Sequence, residues 1–253
     1  MTVKNSNLQF SDVNEPPITA IAMKNDSRKQ IRNMNDEWLL TPTELDELKI
    51  IYPGCQDDKS INDYRELRTK LLKISNNENF VCMVSGINKG AGTTHIAVNL
   101  AASIALDHSK TALIIDCNSY SPALNDYLKE TPELGLSNFL EEETDEIEDI
   151  IYPSGIRRIR IIPAGVRTEH AAENFSSEKM EQFIAMAKKR YPDRYIILDT
   201  PPIGHYAESQ ILASICDMAI LVVGYGQVST SQVQMGIDLI SSDKLAGIIL
   251  NNK

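Results

Sequence analysis

The hydrophobic and polar positions divide the chain into two regions. Residues 1–35 are polar and aperiodic, rich in Asn, Ser, Asp and Lys, which is typical of a linker or a flexible arm. A short apolar patch at residues 18–23 interrupts this segment. Farther along, apolar residues recur with helical or strand periodicity. The pattern therefore predicts an N-terminal arm, flexible or partly ordered, over residues 1–40 and one folded domain over residues 41–253.

Two helices are predicted ahead of the first strand. Thr41-Pro42-Thr43-Glu44 supplies a capping residue, a proline for the first turn and the acid of a capping box. This first helix is expected to run to about Ile51. The second helix, over residues 61–74, carries its apolar side chains on one face and Arg65 and Arg68 together on the neighbouring polar face.

From residue 80 the chain alternates between short β-branched segments and amphipathic segments. Strands are predicted over residues 80–85, 112–116, 159–162, 195–199, 219–223 and 247–250. Helices are predicted over residues 93–107, 136–140, 177–190, 208–215 and 230–241. This order indicates an α/β fold with a doubly wound, mostly parallel sheet flanked by helices. In such sheets ligands bind at the carboxyl ends of the strands.

The segment VCMVSGINKGAGTTHIAVNLA, at residues 81–101, predicts a strand, a glycine-containing turn and a helix beginning at Thr93 or Thr94. Backbone N–H groups in such a turn, together with the helix dipole, favour a phosphate. The P-loop pattern is G-x-x-x-x-G-K-[ST]. Gly92 and Thr94 match it, but Ile87 stands at the first glycine and Thr93 at the lysine. The turn is a phosphate-binding loop by context that lacks its main charge.

Three polar pieces meet at the predicted carboxyl edge of the sheet. They are the loop Lys89-Gly90-Ala91-Gly92-Thr93-Thr94 and two strand-end acids, Asp116 and Asp199. In P-loop NTPases a Ser/Thr hydroxyl and a strand-end Asp hold Mg²⁺ between phosphates, so Thr94 and Asp199 are candidate metal ligands. Asp116 is a candidate for positioning or activating a nucleophile. A single strand-end Asp is often only a capping residue, but together the pieces predict a site for ATP or ADP with Mg²⁺.

Composition excludes other classes of function. The net charge of −10 argues against nucleic-acid binding, which depends on Lys and Arg at phosphates, and against an anionic membrane surface. The four cysteines are scattered, as expected for reduced thiols. No apolar run approaches the roughly 18 residues of a membrane span, and the first ten residues are polar. A cytoplasmic protein is predicted.

Several longer motifs resemble one family, the bacterial tyrosine kinases of capsule and exopolysaccharide loci. The resemblance extends from about residue 62 to residue 251, within the P-loop superfamily that includes the MinD and ParA ATPases. It implies that Asn251 or Asn252, which follow the last predicted strand, lies near the nucleotide base, and Asn251 is taken as the candidate. The motifs that carry the resemblance are YRELRT at residues 64–69, AVNLA at 97–101, PAG at 163–165, SSEKM at 176–180, DTPP at 199–202 and residues 247–251.

The resemblance also exposes departures from the family's nucleotide site. Thr93 replaces the loop lysine, and a second lysine used in the superfamily would fall at Asn88, one position before Lys89. The second acid of the family's Asp-x-Asp motif is Asn118, a neutral and weaker ligand for Mg²⁺. Lys89 could partly compensate by folding back over the phosphates.

Partners are implied by the resemblance alone. Family members dock on the cytoplasmic end of a membrane chain-length regulator and can form rings, which would place this protein peripherally at the inner membrane. Arg65 and Arg68 would lie at the contact between subunits, but Asn62 replaces the acid of that motif, so a weak ring or none is expected. Family members usually end in a tyrosine-rich tail, whereas this sequence ends at Lys253.

Three functions remain open from the sequence. The favoured one is a catalytically impaired, nucleotide-binding regulator or scaffold of polysaccharide export or polymerisation, because several chemical parts are missing at once. The second is an active ATP-dependent protein-tyrosine autokinase. The third is an ATPase-like protein that places pili or secretion systems, since such proteins have similar Gly-Thr-Thr loops.

Overall fold

A seven-stranded sheet forms the centre of the computed structural model, which describes residues 38–190 and 193–252. Within these residues the strand order is β3-β4-β2-β5-β1-β6-β7, and every neighbouring pair is parallel except β3–β4. The predicted fold class is confirmed. The strands are β1 (Val81–Gly86), β2 (Thr111–Asp116), β3 (Tyr152–Pro153), β4 (Ile159–Ile162), β5 (Arg194–Asp199), β6 (Met218–Gly224) and β7 (Leu245–Asn251).

Helices cover both faces of this sheet. The first three, α1 to α3, contribute to one buried apolar cluster, and α4 to α8 contribute to the cluster on the opposite face. Short 3-10 helices lie at Leu124–Tyr127 and Ile147–Ile150. The helices are α1 (Pro42–Glu47), α2 (Asp58–Ile74), α3 (Thr93–Ala105), α4 (Leu136–Leu140), α5 (Ala171–Phe175), α6 (Glu178–Arg190), α7 (Ala207–Ile215) and α8 (Thr230–Ile240).

Alternate residues of the central strands enter opposite cores. In β1, Cys82 and Val84 join the cluster beneath α3, whereas Val81 and Met83 join the other. Because a parallel sheet between two helical layers is apolar on both faces, its strands read as continuous hydrophobic runs. This explains why all six predicted strands are found. None of their ends is shifted by more than two residues.

The first helix ends earlier than predicted. Its capping box forms, since the backbone N–H groups of Thr41 and Glu44 each donate to the other's side chain. The helix stops at Glu47, however, because Lys49 adopts a left-handed conformation with φ of 53°. The turn carries Ile50 and Ile51 into the core, where both are buried.

Two further elements have no counterpart in the sequence prediction. Strand β3 has two residues and pairs antiparallel with β4, while helix α5 has five residues. Neither shows a hydrophobic period of its own in the sequence, so each is recognised only in the folded chain. No helix in the described ranges is both long enough and apolar enough to cross a membrane.

The predicted arm and its apolar patch at residues 18–23 lie outside the described residues, apart from residues 38–40. Of these, Leu40 donates its backbone N–H to the carbonyl of Gly155, 2.8 Å away. This contact joins the start of the described chain to the segment between β3 and β4. The extent of the arm stays a prediction.

Helix α2 is joined to α3 by one of the two arginines predicted for oligomerisation. Nη1 of Arg68 donates to the carbonyl of Ser103 at 2.6 Å, and Arg68 is half-buried. Arg65, by contrast, is exposed. At least one of the pair therefore has a role inside the chain, and oligomerisation through either remains a prediction.

A buried asparagine joins the turn after α1 to α3, and we expect its removal to destabilise the protein. Oδ1 of Asn99 accepts from the backbone N–H of Ile51 at 2.9 Å, and its Nδ2 donates to the carbonyl of Lys49 at 3.2 Å. Each buried group left unpaired costs about 1–3 kcal/mol. Asn99→Ala should thus lower the free energy of unfolding, measured in urea, by about 2–4 kcal/mol. Exposed Asn62→Ala is the control, and equal effects would contradict the prediction.

Candidate functional site

The turn between β1 and α3 has the backbone of a phosphate-binding loop. Gly90 and Gly92 adopt φ of 78° and 85°, which side chains disfavour, and Gly92 is the N-cap of α3. Helix α3 has 13 residues, nearly all of them buried after its first turn. Its first N–H groups lack helical acceptors and form the positive end of the helix dipole. The loop can therefore bind an anion without a lysine.

The loop packs so closely against the end of β1 that a glycine is required there. That glycine is Gly86, and not position 87, where the P-loop motif has its first glycine. A β-carbon on Gly86 would lie 2.9 Å from Oγ1 of Thr93 and 3.0 Å from the β-carbon of Ala91. Ile87, at the motif's first glycine, is instead buried, and its N–H donates to the carbonyl of Val222. Gly86 thus provides the space that the loop needs, one position before Ile87.

A cavity of about 490 Å³ opens over this loop. It is bounded by the loops that follow β1, β2 and β5, as the topology of a parallel sheet predicts. Ala91 is the loop residue that does not line it, since it is buried. The sequence-predicted residues that line this cavity are Lys89, Gly90, Gly92, Thr93, Thr94 and Asn118.

The two strand-end acids are neighbours in the sheet. Asp116 of β2 and Asp199 of β5 occupy the same register position, and both are buried. Asp116 has hydrogen-bond partners: Oδ1 accepts from the N–H of Asn118 at 2.9 Å, and Oδ2 accepts from those of Ala123 at 3.2 Å and Leu124 at 3.3 Å. Burial raises the pKa of Asp116 to about 6, although these hydrogen bonds oppose the shift.

Asp199, unlike Asp116, lacks hydrogen-bond partners in the part of the chain that the structure describes. Neither of its carboxylate oxygens has a hydrogen-bond partner among the described residues. Burial first, and then the charge of Asp116, raise the pKa of Asp199 well above its usual range. The nearby hydroxyl of Thr94 opposes this rise in the pKa of Asp199, although its position does not satisfy the geometric criteria for a hydrogen bond to the carboxylate.

This arrangement fits Mg²⁺. The ion prefers oxygen ligands and is usually bound by one or two carboxylates together with phosphates and water. A cation beside Asp199 would satisfy its unpaired oxygens and offset the repulsion from Asp116. Thr94 and Asn118 offer hydroxyl and amide oxygens on the 490 Å³ cavity, whereas Asp116 and Asp199 are buried and are not among the described residues that line it.

Asn251 is not among the described residues that line the cavity over the phosphate loop. Its Nδ2 donates to the carbonyl of Ala91 at 2.8 Å, so it fixes the loop from behind. It lines a second cavity, of about 720 Å³, between α2 and β7. His95 lines both cavities and separates the two spaces. Contact between Asn251 and a nucleotide base stays a prediction.

Sequence reasoning missed an aromatic group at the cavity. Tyr120 and Tyr206 stack with ring centroids 4.3 Å apart, and both line the cavity. The hydroxyl of Tyr120 donates to Oε1 of buried Glu208 at 2.5 Å. One signal was present in the sequence, since Tyr120 and Tyr206 follow the two strand-end acids by only a few residues.

Comparison with known proteins identifies a family and several relatives. The AAA domain family matches residues 81–244. Tyrosine-protein kinase CpsD of Streptococcus agalactiae is 28% identical over 210 residues, which are 82% of this chain and 90% of CpsD. Tyrosine-protein kinase wzc of Salmonella typhi is also 28% identical, over 81% of this chain but only 28% of its own length. The resemblance predicted from the motifs is confirmed.

Solved structures share the fold. The kinase domain of the Escherichia coli tyrosine kinase ETK superposes with a TM-score of 0.70 at 24% identity, over 76% of this chain and 75% of that one. The cell division ATPase MinD of Pyrococcus furiosus superposes with a TM-score of 0.56 at 22% identity, over 68% and 71%. At these identities the likeness establishes the fold alone, and it agrees with the predicted class.

The paired acids predict an unusual pH dependence. Burial raises the pKa of both carboxyls in the folded state, so the folded protein binds protons more tightly than the unfolded chain. The stability cost is absent below about pH 4, the unfolded value, and grows as the pH rises through the folded values. Without Mg²⁺, Asp199→Asn should raise the free energy of unfolding at pH 8, because the folded protein then no longer has to ionise this buried carboxyl group.

At pH 5 this gain should be clearly smaller, because pH 5 lies close to the unfolded value near pH 4 and the stability cost grows only above that value. Urea titrations at both pH values measure the difference, with exposed Asp63→Asn as the matched control. A gain of the same size at pH 5 and pH 8 would show that ionisation of the buried acids is not its cause.

Proposed function

The chain belongs to the AAA domain family, and from that premise we propose that it is a nucleotide-binding protein of capsule or exopolysaccharide assembly. It binds ATP or ADP with Mg²⁺ and transfers the phosphoryl group slowly, if at all, so that it acts mainly as a regulator or scaffold. The relatives that are named tyrosine-protein kinases support the family assignment of this proposal.

One observation carries the nucleotide proposal. Asp199 is a buried carboxylate with two unpaired oxygens, beside Asp116 and near the hydroxyl of Thr94. An uncompensated buried charge is costly, and such groups are usually paired or bound to metals. A bound Mg²⁺·nucleotide removes that cost, because the cation pairs with the carboxylate oxygens of Asp199.

The residues of the loop have separate roles in this proposal. The N–H groups of the loop and the start of α3 would hold phosphates, and Thr94, Asp199 and Asn118 would hold Mg²⁺, which neutralises charge on the phosphates when bound. Asp116 accepts three backbone N–H groups from the loop after β2, so it positions that loop. Any further role of Asp116 in activating a nucleophile is part of the proposal.

The missing lysine should affect chemistry more than binding. A charged hydrogen bond contributes about 1.5–3 kcal/mol, so its loss weakens binding about ten- to a hundredfold. Cationic groups at the transferring phosphoryl contribute on the order of 10³ or more in rate. Thr93 therefore leaves a site that binds nucleotide and turns it over poorly.

An active protein-tyrosine kinase is the second candidate. The names of the relatives favour it, and the two strand-end acids of the site are both present. In either case we propose a cytoplasmic protein that docks on the cytoplasmic end of a membrane chain-length regulator. Homo-oligomers through Arg65 and Arg68 are a further part of this proposal.

Restoring the lysine tests the proposal directly. Wild-type protein should bind Mg²⁺·ADP in isothermal titration calorimetry, and Asp199→Asn should abolish the dependence on Mg²⁺. Thr93→Lys should tighten nucleotide binding about ten- to a hundredfold. It should also raise tyrosine phosphorylation, followed by mass spectrometry after incubation with Mg²⁺·ATP.

The outcomes separate the two candidates. Wild-type phosphorylation that equals that of Thr93→Lys would favour the active kinase over the impaired regulator. If neither protein binds nucleotide at millimolar concentration, the nucleotide proposal is wrong. The conservative Thr93→Ser serves as the control for changes at this position without added charge.

A further inference from the structure

A lysine, two tyrosines and a buried acid form a continuous row beside the cavity. Nζ of Lys89 lies 5.5 Å from the centroid of the Tyr206 ring, within cation–π range. Tyr206 stacks on Tyr120 at 4.3 Å, with the rings inclined by 33°. The Tyr120 hydroxyl donates to Glu208, which is only 6% exposed. The row therefore joins an exposed cation to a fixed point in α7.

The anchored end of the row is rigid. Glu208 lies in the first turn of α7. The next residue, Ser209, is fully buried, and its hydroxyl donates to the carbonyl of Pro201 at 2.5 Å. The hydrogen bond to Glu208 raises the pKa of Tyr120 to about 12, so the hydroxyl stays a donor at neutral pH. Tyr206 is thus held on one side by a ring that cannot easily move.

The free end of the row, Lys89, belongs to the phosphate loop. Lys89, Tyr120 and Tyr206 all line the 490 Å³ cavity. No carboxylate of the described residues forms an ion pair with Lys89, so its charge is not neutralised within that part of the chain. The neighbouring Asn88 donates to the carbonyl of Gln227 at 3.3 Å, which fixes the tip of the loop.

We propose that Tyr206 is a positioning residue that holds Lys89 to contact the terminal phosphate of a nucleoside triphosphate, replacing the charge missing at Thr93. This inference rests on the proposed nucleotide binding. The inner phosphates are expected at the N-terminus of α3. Lys89 lies on the side of the cavity formed by the loop after β5, the strand that ends in Asp199. A cation there meets the phosphate that ADP lacks, so the site distinguishes ATP from ADP.

Arg167 provides a matched control within the same row. Its Cζ lies 5.5 Å from the Tyr120 ring, the same distance at which Lys89 lies from Tyr206. Arg167 is exposed, and it is not among the residues that line the cavity. It therefore has a similar cation–π contact but lies outside the lining of the cavity.

Calorimetric titration of the whole chain with ATP and with ADP, each with Mg²⁺, tests this role. Lys89→Ala should weaken ATP binding about tenfold or more and leave ADP binding nearly unchanged. Tyr206→Leu should weaken ATP binding about two- to fivefold, the factor that an exposed cation–π contact supplies. Tyr206→Phe, which keeps the ring, should bind ATP like the wild type, as should Arg167→Ala.

Each contrary result identifies what fails. Equal losses for ATP and ADP in Lys89→Ala, or no loss, would overturn the role of Lys89. Equal behaviour of Tyr206→Phe and Tyr206→Leu would overturn the positioning role of the ring. Wild-type protein that binds neither nucleotide would overturn both this inference and the proposed function. Thermal unfolding of each variant ensures that the compared proteins are folded.

Discussion

The parallel pairing of β2 with β5 places two carboxylates side by side, and the rest of the site depends on that pairing. Asp116 and Asp199 share one register position at the end of the sheet, in a core from which water is excluded. Neighbouring like charges in such a place are unfavourable. The strands nevertheless hold them there, because their other residues are buried in two apolar cores. The sheet thus maintains a local destabilisation that a bound cation would relieve, which is a common property of functional sites.

Asp116 and Asp199 differ in their hydrogen-bond partners, and this difference gives them different roles. Three backbone N–H groups reach Asp116, so it shapes the loop that brings Asn118 and Tyr120 to the cavity. No hydrogen-bond partner within the described residues reaches Asp199. One carboxylate therefore holds the loop that lines the cavity, while the other is buried with two oxygens that a bound cation would satisfy. The sequence alone presents them as two similar strand-end acids, and the asymmetry follows from which neighbouring loop folds over each.

The helix that opens the phosphate loop is fixed by contacts far from the loop. Asn99 joins α3 to the turn after α1, and Arg68 joins it to α2. From Ile96 to Ala105 every residue of α3 is buried. A helix held in this way keeps its N-terminal N–H groups in place, which matters more here because the loop has Thr93 instead of lysine. In the proposed function, backbone dipoles would supply much of the attraction for phosphate, and Tyr206 would position Lys89.

The sequence by itself determined the alternation of strands and helices, the capping box at Thr41, the phosphate loop and its missing lysine, because these depend on local periodicity and short spacings. It also placed Asp116, Asp199 and the loop at one edge, since parallel strands end at the same side of a sheet. Tertiary structure alone decided the early end of α1, the need for glycine at Gly86, the position of Asn251 behind the loop and the row from Glu208 to Lys89. Each of these features either joins segments that are distant in the chain or depends on space that only the folded neighbours define. Contacts and spaces of this kind leave no periodic signal in the sequence.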